Sequence, residues 1–497
     1  MKRWIGWLLA LCMLFAAGAG WAAEGGADDP VSPVLCNPAP SEEAQALMDW
    51  LCGEYGSRMV SGQYLDEYRY GAELEAVASV TGGLYPAMVG LDLLNYSPSS
   101  MSLGSWPTSV DQAIEYWKKG YIVTFCWHWN APEEYLDTTG NNWWGGFYTQ
   151  NTSFNLGKAL SGEDPAGYDL LIRDLDAIAA QLKRLRDAGV PILWRPLHEA
   201  SGGWFWWGAS GADAYLQLYR LMYDRFTNLH GLNNLIWVWN GQSKAWYPGD
   251  DAVDIIGEDI YPGKHVYQSQ SGAFARCRNY TQARKLIMLS ECGCVPSPEK
   301  CLEDGAMWSA FGVWCYEFVL ADDGSYSSEY TEAEKLKEFY ASDLVITRED
   351  VPAFGREIPA ETAADPGAES GGLAPAVSET GELSWSWADG ETAGNALKAM
   401  NSIEIRGNAE TDTVTLRISV PETGTYRLSI RQAGIGGYKE NYLTLDGKDI
   451  GNTVVQGEQE EDCVFGTVDL EAGEHEVGIR AFRGWVRLFT LELIPEK

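Results

Sequence analysis

Eight times between positions 59 and 317 the chain repeats one short pattern: an apolar run of a strand's length that breaks off into polar and aromatic residues. The runs occupy 59–64, 87–92, 121–130, 191–199, 234–240, 253–261, 286–291 and 311–317. Helical periodicity fills the intervals at 110–119, 168–188 and 212–228; in the second of these Leu171, Leu175, Ile178 and Leu182 form one apolar stripe. A further helix is expected at 42–55, with Ala44, Leu47, Met48 and Leu51 on one face. Strands apolar along their whole length are buried on both faces, which is the habit of parallel sheets covered by helices. Eight of them over about 300 residues predict an α/β fold, a sheet closed into a (β/α)8 TIM barrel. An open doubly wound sheet is the structural alternative, but no glycine-rich nucleotide loop accompanies these strands. Closure would gather the polar ends of all eight runs at one face, where barrel enzymes keep their active sites.

The flanks of the barrel read differently. Lys2 and Arg3, an apolar run over 4–17 and small residues up to Ala23 have the layout of a secretory signal peptide, with cleavage near Ala22. The run is shorter than the roughly 20 residues of a spanning helix, so residues 1–22 predict export, not a membrane anchor. A loose leading segment, 23–40, precedes the barrel, assigned to 41–348. At 349–382 the composition turns to Pro, Ala, Gly and Glu, as in a linker. From 383 to 497, alternating apolar and polar residues, as over 413–420, 424–431 and 441–446, predict a smaller all-β sandwich. A net charge of −34 excludes a nucleic-acid partner, since binding phosphate backbones needs the opposite sign. Nine of the ten cysteines lie outside the signal, so at least one has no partner within the chain. Buried thiols or one local bridge are expected for Cys292, Cys294 and Cys301, not a metal site.

The stretch from Ile192 to Gly208 carries the chemistry. It delivers Arg195, His198 and Glu199 into a loop crowded with Trp and Gly, the construction of a polysaccharide cleft: indoles stack on sugar rings, and a carboxyl beside them is pushed toward its neutral form. A buried Arg195–Glu199 ion pair under an aromatic lid is the bland alternative. Cleaving a glycosidic bond with retention needs two carboxyls roughly 5 to 5.5 Å apart, one neutral and one ionised. Glu199 and Glu291 end the fourth and seventh runs and would face each other across the barrel mouth; capping of the next segment is the other use for a strand-end acid such as Glu291. Arg195 and Tyr261 would keep Glu291 ionised, while Trp204 would dry Glu199 and raise its pKa. His128 and His198 are candidates for bonding sugar hydroxyls, or satisfied core residues. Asp259 would orient a neighbouring donor or be structural. Trp204 and Trp314 are the expected sugar platforms, while several of Trp127, Trp129, Trp143, Trp144, Trp206 and Trp207 must be core.

Trp194-Arg-Pro-Leu-His-Glu199, followed by Trp204-Phe-Trp-Trp-Gly208, together with Ser61-Gly-Gln63, Trp127-His-Trp-Asn130, Asp259-Ile-Tyr261 and Ser290-Glu-Cys-Gly293, resembles glycoside hydrolase family 26 over about 41–343. The resemblance implies a retaining endo-β-1,4-mannanase with Glu199 as acid/base, Glu291 as nucleophile, and His128, Arg195, His198, Trp204, Tyr261 and Trp314 around the cleaved sugar. It departs at Cys292, where the family often has Phe. Mixed-linkage β-glucanases and β-1,3-xylanases of the same family, and a non-catalytic glycan-binding protein, are the alternatives. The implied partners are β-mannan and manno-oligosaccharides, with no cofactor for catalysis and a monomeric protein. The tail resembles carbohydrate-binding modules of family 35 or the similar family 6, through Val420-Pro-Glu-Thr-Gly-Thr-Tyr-Arg-Leu428 and Leu470-Glu-Ala-Gly-Glu-His475. Such modules often hold calcium, which the sequence assigns to no residue here; Tyr438 and Trp485 are its candidate sugar contacts, with packing as the other reading.

Overall fold

The computed structural model describes residues 31–496 except positions 70, 106, 140–141, 322, 357–371, 379–380, 393–395, 399–401, 406–412, 436–438, 458 and 483–484. The expected signal peptide, 1–22, and the start of the leading segment lie outside the described residues. Strands β1 (Met59–Tyr64), β2 (Met88–Asp92), β3 (Ile122–Cys126), β4 (Ile192–Arg195), β5 (Leu235–Trp239), β6 (Ile255–Ile260), β7 (Leu286–Cys292) and β8 (Ala310–Val313) pair in sequence order, all parallel. Since β1 pairs with both β2 and β8, the sheet is closed, as the eight runs required. A two-residue strand, β9 (Val345–Ile346), adds beside β1.

The helices form for ordinary reasons. The helix Pro165–Asp187 starts on Asp164, whose side chain accepts from Gly167 N–H, has Pro at its first turn and ends with Arg184 and Arg186 near its negative pole. Its stripe of Leu171, Leu175, Ile178 and Leu182 is fully buried. At the opposite end from the polar strand termini, helix α1 (Glu42–Glu54) sets Ala44, Leu47, Met48 and Leu51 against Val60, Met88, Ile122, Leu193, Ile236 and Met288, plugging the bottom of the barrel. The leading segment is tied down there as well: Cys36 N–H donates to Asp254 Oδ1 at 2.6 Å, and the Asn37 side chain to Leu232 O at 3.3 Å. Packing also runs on past residue 348, since Val351 is buried and the Arg356 guanidinium lies 3.7 Å from the Trp117 ring. All nine cysteines of the described residues are free thiols, Cys292, Cys294 and Cys301 among them.

The C-terminal region forms two antiparallel sheets. One is centred on strands Gly424–Gly434 and Val486–Pro495, the other on Thr413–Val420 and Gly473–Arg480. Along Thr413–Val420 alternate residues are buried, and Val414, Leu416 and Ile418 meet Leu428, Ile430, Leu488 and Leu491 of the other sheet in one core. This is the expected sandwich, and its first bridge already joins Leu373 to Ile418. Among the described residues no helix is long and apolar enough to cross a membrane.

Candidate active site

At the C-terminal mouth, β4 stops at Arg195, four residues short of the expected strand end at Glu199. Pro196 removes a ladder donor, and the chain then turns through two left-handed residues, Leu197 and Glu199, both at φ 52°. Such backbone is costly for non-glycine residues and persists where the surroundings hold it. The hold comes from the end of β5, since Glu199 N–H donates to Asn240 O at 2.7 Å.

A bulge sets the other wall. Glu258 of β6 pairs with Leu289 of β7, but the next residue, Asp259, pairs with Glu291, so Ser290 is an extra residue in β7. Ser290 Oγ donates to Asp259 Oδ1 at 2.7 Å and accepts from the Asn240 side chain at 2.7 Å, while Glu291 meets Arg195 and Tyr261. Arg195 is fully buried and forks between two acids: Nη1 reaches Asp259 Oδ2 at 2.8 Å and Nη2 contacts Glu291 Oε1. Tyr261 Oη donates to Glu291 Oε2 at 2.6 Å. Among the described residues Glu199 receives no guanidinium, so the bland Arg195–Glu199 pair does not form, and its Oε2 accepts the Trp204 indole N–H at 2.9 Å. One oxygen from each of Glu199, Asp259 and Glu291 lies within 4.8 Å of the other two.

The two glutamates thus sit in unlike fields. Burial, then the negative charges of Asp259 and Glu291, hold Glu199 well above the ordinary carboxyl range. Desolvation, the effect expected of the Trp204 ring, is the largest cause of this rise, while the Trp204 N–H works against it by stabilising the ionised form. Burial pushes Asp259 up to about 7 in spite of Arg195. Burial and Glu291 raise Tyr261 far above a free phenol, which keeps it a proton donor to Glu291. The arrangement presents an acid held toward its neutral form beside a second carboxyl gripped by two donors.

The model of glycosyl hydrolase family 26 matches residues 36–350. The chain belongs to glycosyl hydrolase family 26. Residues 382–495 match carbohydrate binding module family 35. The chain is 45% identical over 322 residues to a mannan endo-1,4-beta-mannosidase of Thermothelomyces thermophilus, covering 64% of either chain. It is 34% identical to mannan endo-1,4-beta-mannosidase B of Piromyces sp, over 65% of this chain and 54% of that one. It therefore spans less than two thirds of the length of these relatives. Among solved structures it resembles a Podospora anserina GH26-CBM35 β-(1,4)-mannanase, with TM-score 0.61 and 40% identity over 67% of this chain and 72% of that one. A β-mannanase from a symbiotic protist of the termite Reticulitermes speratus, complexed with gluco-manno-oligosaccharide, gives TM-score 0.58 and 35% identity over 66% and 99%.

Within this family 26 site the remaining sequence candidates fall as follows. His128 Nδ1 meets Asp92 Oδ2 at 2.5 Å and its Nε2 meets His198 Nε2 at 3.1 Å, so both ring nitrogens of His128 are taken by protein. Burial works to raise Asp92, but the His128 ring and the N–H groups of His128 and Leu94 outweigh it and hold the carboxyl below its usual value. Burial and the Arg195 charge keep His198 neutral, and its buried Nδ1 has no partner among the described residues. Trp314 packs on Tyr64 at 4.9 Å and beside His128 at 5.7 Å, whereas Trp204 is 40% exposed. Trp127, Trp129, Trp206 and Trp207 are core; Trp144 is exposed. Sequence reasoning missed Asp92, Asn240 and Ser290. The first two close apolar runs as Glu291 does, which was the available signal. In the module Trp485 is exposed, as is Phe482, and Tyr438 lies outside the described residues. Clusters of three metal-capable side chains occur, among the described residues, only at Asp92–Cys126–His128 and Glu199–Asp259–Glu291, neither of them in the module where calcium was considered.

Proposed function

We propose that this protein is a retaining endo-β-1,4-mannanase that cleaves mannan, galactomannan or glucomannan by double displacement, with Glu291 as nucleophile and Glu199 as acid/base. The observation that carries this reading is the approach of the two carboxyl groups, whose nearest oxygens lie within 4.8 Å, with Glu199 held well above the ordinary carboxyl range and Glu291 bonded by Arg195 and Tyr261. That separation matches attack by the second carboxylate itself; the wider spacing of inverting enzymes leaves room for a water. In the first step a Glu291 oxygen bonds to the anomeric carbon as the glycosidic bond breaks, and the Glu199 proton passes to the leaving oxygen. In the second, Glu199 takes a proton from water whose oxygen attacks the same carbon and releases Glu291. Arg195 and Tyr261 bond the two oxygens of Glu291 and aim it, and the proton of Tyr261 stays on the phenol. Trp204, which is exposed, offers an apolar face to a sugar ring, and the half-buried Trp314 offers another. His128 supports His198 from behind, and Asp259 positions Arg195.

Mannan is favoured over other β-glycans because the relatives at 45% and 34% identity are named for it. The reading needs no cofactor. It takes the tail module as a carbohydrate binder with Trp485 exposed, and the signal-like residues 1–22 as the reason for an extracellular site of action; a monomer suffices for it. Reducing-sugar release from mannan, mixed-linkage β-glucan and β-1,3-xylan tests it. Mannan is expected to be cut and the other two to be poor substrates. Glu199→Gln and Glu291→Gln each lower kcat/KM by about 10³-fold or more while sugar binding persists. Full activity in either variant, or binding without any hydrolysis by the unmodified protein, contradicts it.

A further inference from the structure

Residues 145–151, from the loop after β3, lie along residues 203–206 of the loop after β4. Tyr148 and Phe205 are antiparallel bridge partners, and Trp206 N–H donates to Phe147 O at 3.1 Å. Thr149 makes the two contacts nearest the site. Its N–H donates to Trp204 O at 2.8 Å, and its Oγ1 donates to Gly203 O at 2.9 Å. The strap is braced on itself: Tyr148 N–H and the Asn151 side chain both donate to Gly145 O, and Asn151 N–H donates to Tyr148 O. The segment it holds is a run of tight turns. Gly202 N–H and Gly203 N–H close tight turns on Glu199 O and Ala200 O, Gly203 is left-handed at φ 72°, and the Trp204 ring is 40% exposed. The indole lies over Gly202 and edge-on to Phe205, and the backbone that carries it is held through its carbonyls at 203 and 204, which both end on Thr149.

We infer that Thr149 is a positioning residue for the acid/base Glu199, acting through Trp204: it clamps the Gly203–Trp204 backbone so that the indole N–H stays on Glu199 Oε2 and the indole face stays in line with the sugar. The inference rests on the acid/base role proposed for Glu199. Its consequence has a sign. The indole N–H favours ionised Glu199, whereas bond cleavage needs the neutral form, so activity falls as pH rises through the pKa of this carboxyl. Loosening Trp204 removes a stabiliser of the carboxylate and moves the alkaline limb of the rate profile upward. It also lets the sugar platform wander, which raises KM.

The test is a kcat/KM profile against pH on a soluble manno-oligosaccharide for the full chain and three variants. Thr149→Val keeps the β-branched shape and loses the Oγ1 donor; Thr149→Ser keeps the donor; Trp204→Phe removes the indole N–H outright. Thr149→Val is expected to raise KM several-fold and to shift the alkaline limb upward by part of the shift seen in Trp204→Phe, with a far-ultraviolet circular dichroism spectrum like that of the unmodified protein. Thr149→Ser restores both parameters to within about two-fold. A limb in Thr149→Val that coincides with that of the unmodified enzyme overturns the inference. So does a Thr149→Ser variant as impaired as Thr149→Val, or an unmoved limb in Trp204→Phe. Failure of the underlying functional reading shows itself differently, as an unmodified protein that releases no sugar.

Discussion

At the residue scale the site is one continuous chain of contacts from Glu199 to Glu291. Glu199 N–H rests on Asn240, Asn240 on Ser290, Ser290 on Asp259, Asp259 on Arg195, and Arg195 on Glu291. A group so placed strains the fold it serves. Glu199 is raised above its unfolded value by burial first and then by Asp259 and Glu291, so its contribution to stability is complete below the unfolded carboxyl pKa of about 4.3 and is lost as pH rises toward the folded value. Glu199→Gln is accordingly expected to raise Tm by about 3 °C at pH 7 and to leave it unchanged near pH 4, read by differential scanning calorimetry. His198, depressed by burial, has the opposite dependence, losing its contribution as pH falls, but it is present in both proteins and cancels from the difference. A Tm gain that is equal at both pH values would mean that charge at Glu199 is not the cause. The sequence disclosed the principal acids, since a carboxyl closing an apolar run is visible in one dimension. It did not disclose that both nitrogens of His128 are spent on Asp92 and His198, because hydrogen-bond direction depends on side chains from three separate strand ends.

At the element scale, the strands were legible because burial on both faces writes an unbroken apolar run, and the long helix because its stripe recurs with helical period. Two features carried no such mark. The bulge that inserts Ser290 into β7 changes pairing without changing hydrophobicity, and Pro196 ends β4 early although the expected run extends to Glu199. The bottom plug is the element whose work is purely mechanical. Leu47 of α1 is fully buried against the barrel floor, at the end away from Glu199 and Glu291. Leu47→Ala is expected to lower unfolding stability by roughly 2–5 kcal/mol in a denaturant titration, with kcat per folded molecule unchanged. Loss of kcat without loss of stability would place α1 in the catalytic machinery and contradict this division of labour.

At the scale of the whole molecule the chain joins a family 26 barrel to a region matching a carbohydrate binding module, each with its own hydrophobic core. The sandwich was legible from period-two alternation alone; its sugar contacts were not, because exposure of an aromatic such as Trp485 does not name a ligand. The central claim concerns the barrel: two carboxyls, far apart in sequence, share one groove closely enough for one to bond carbon while the other gives a proton. Proton NMR of the first product released from a β-1,4-manno-oligosaccharide reads this directly, before mutarotation scrambles the anomers. Two successive inversions predict that the β-anomer appears first. Initial appearance of the α-anomer would mean that water attacks in a single displacement and that Glu291 never bonds to the sugar.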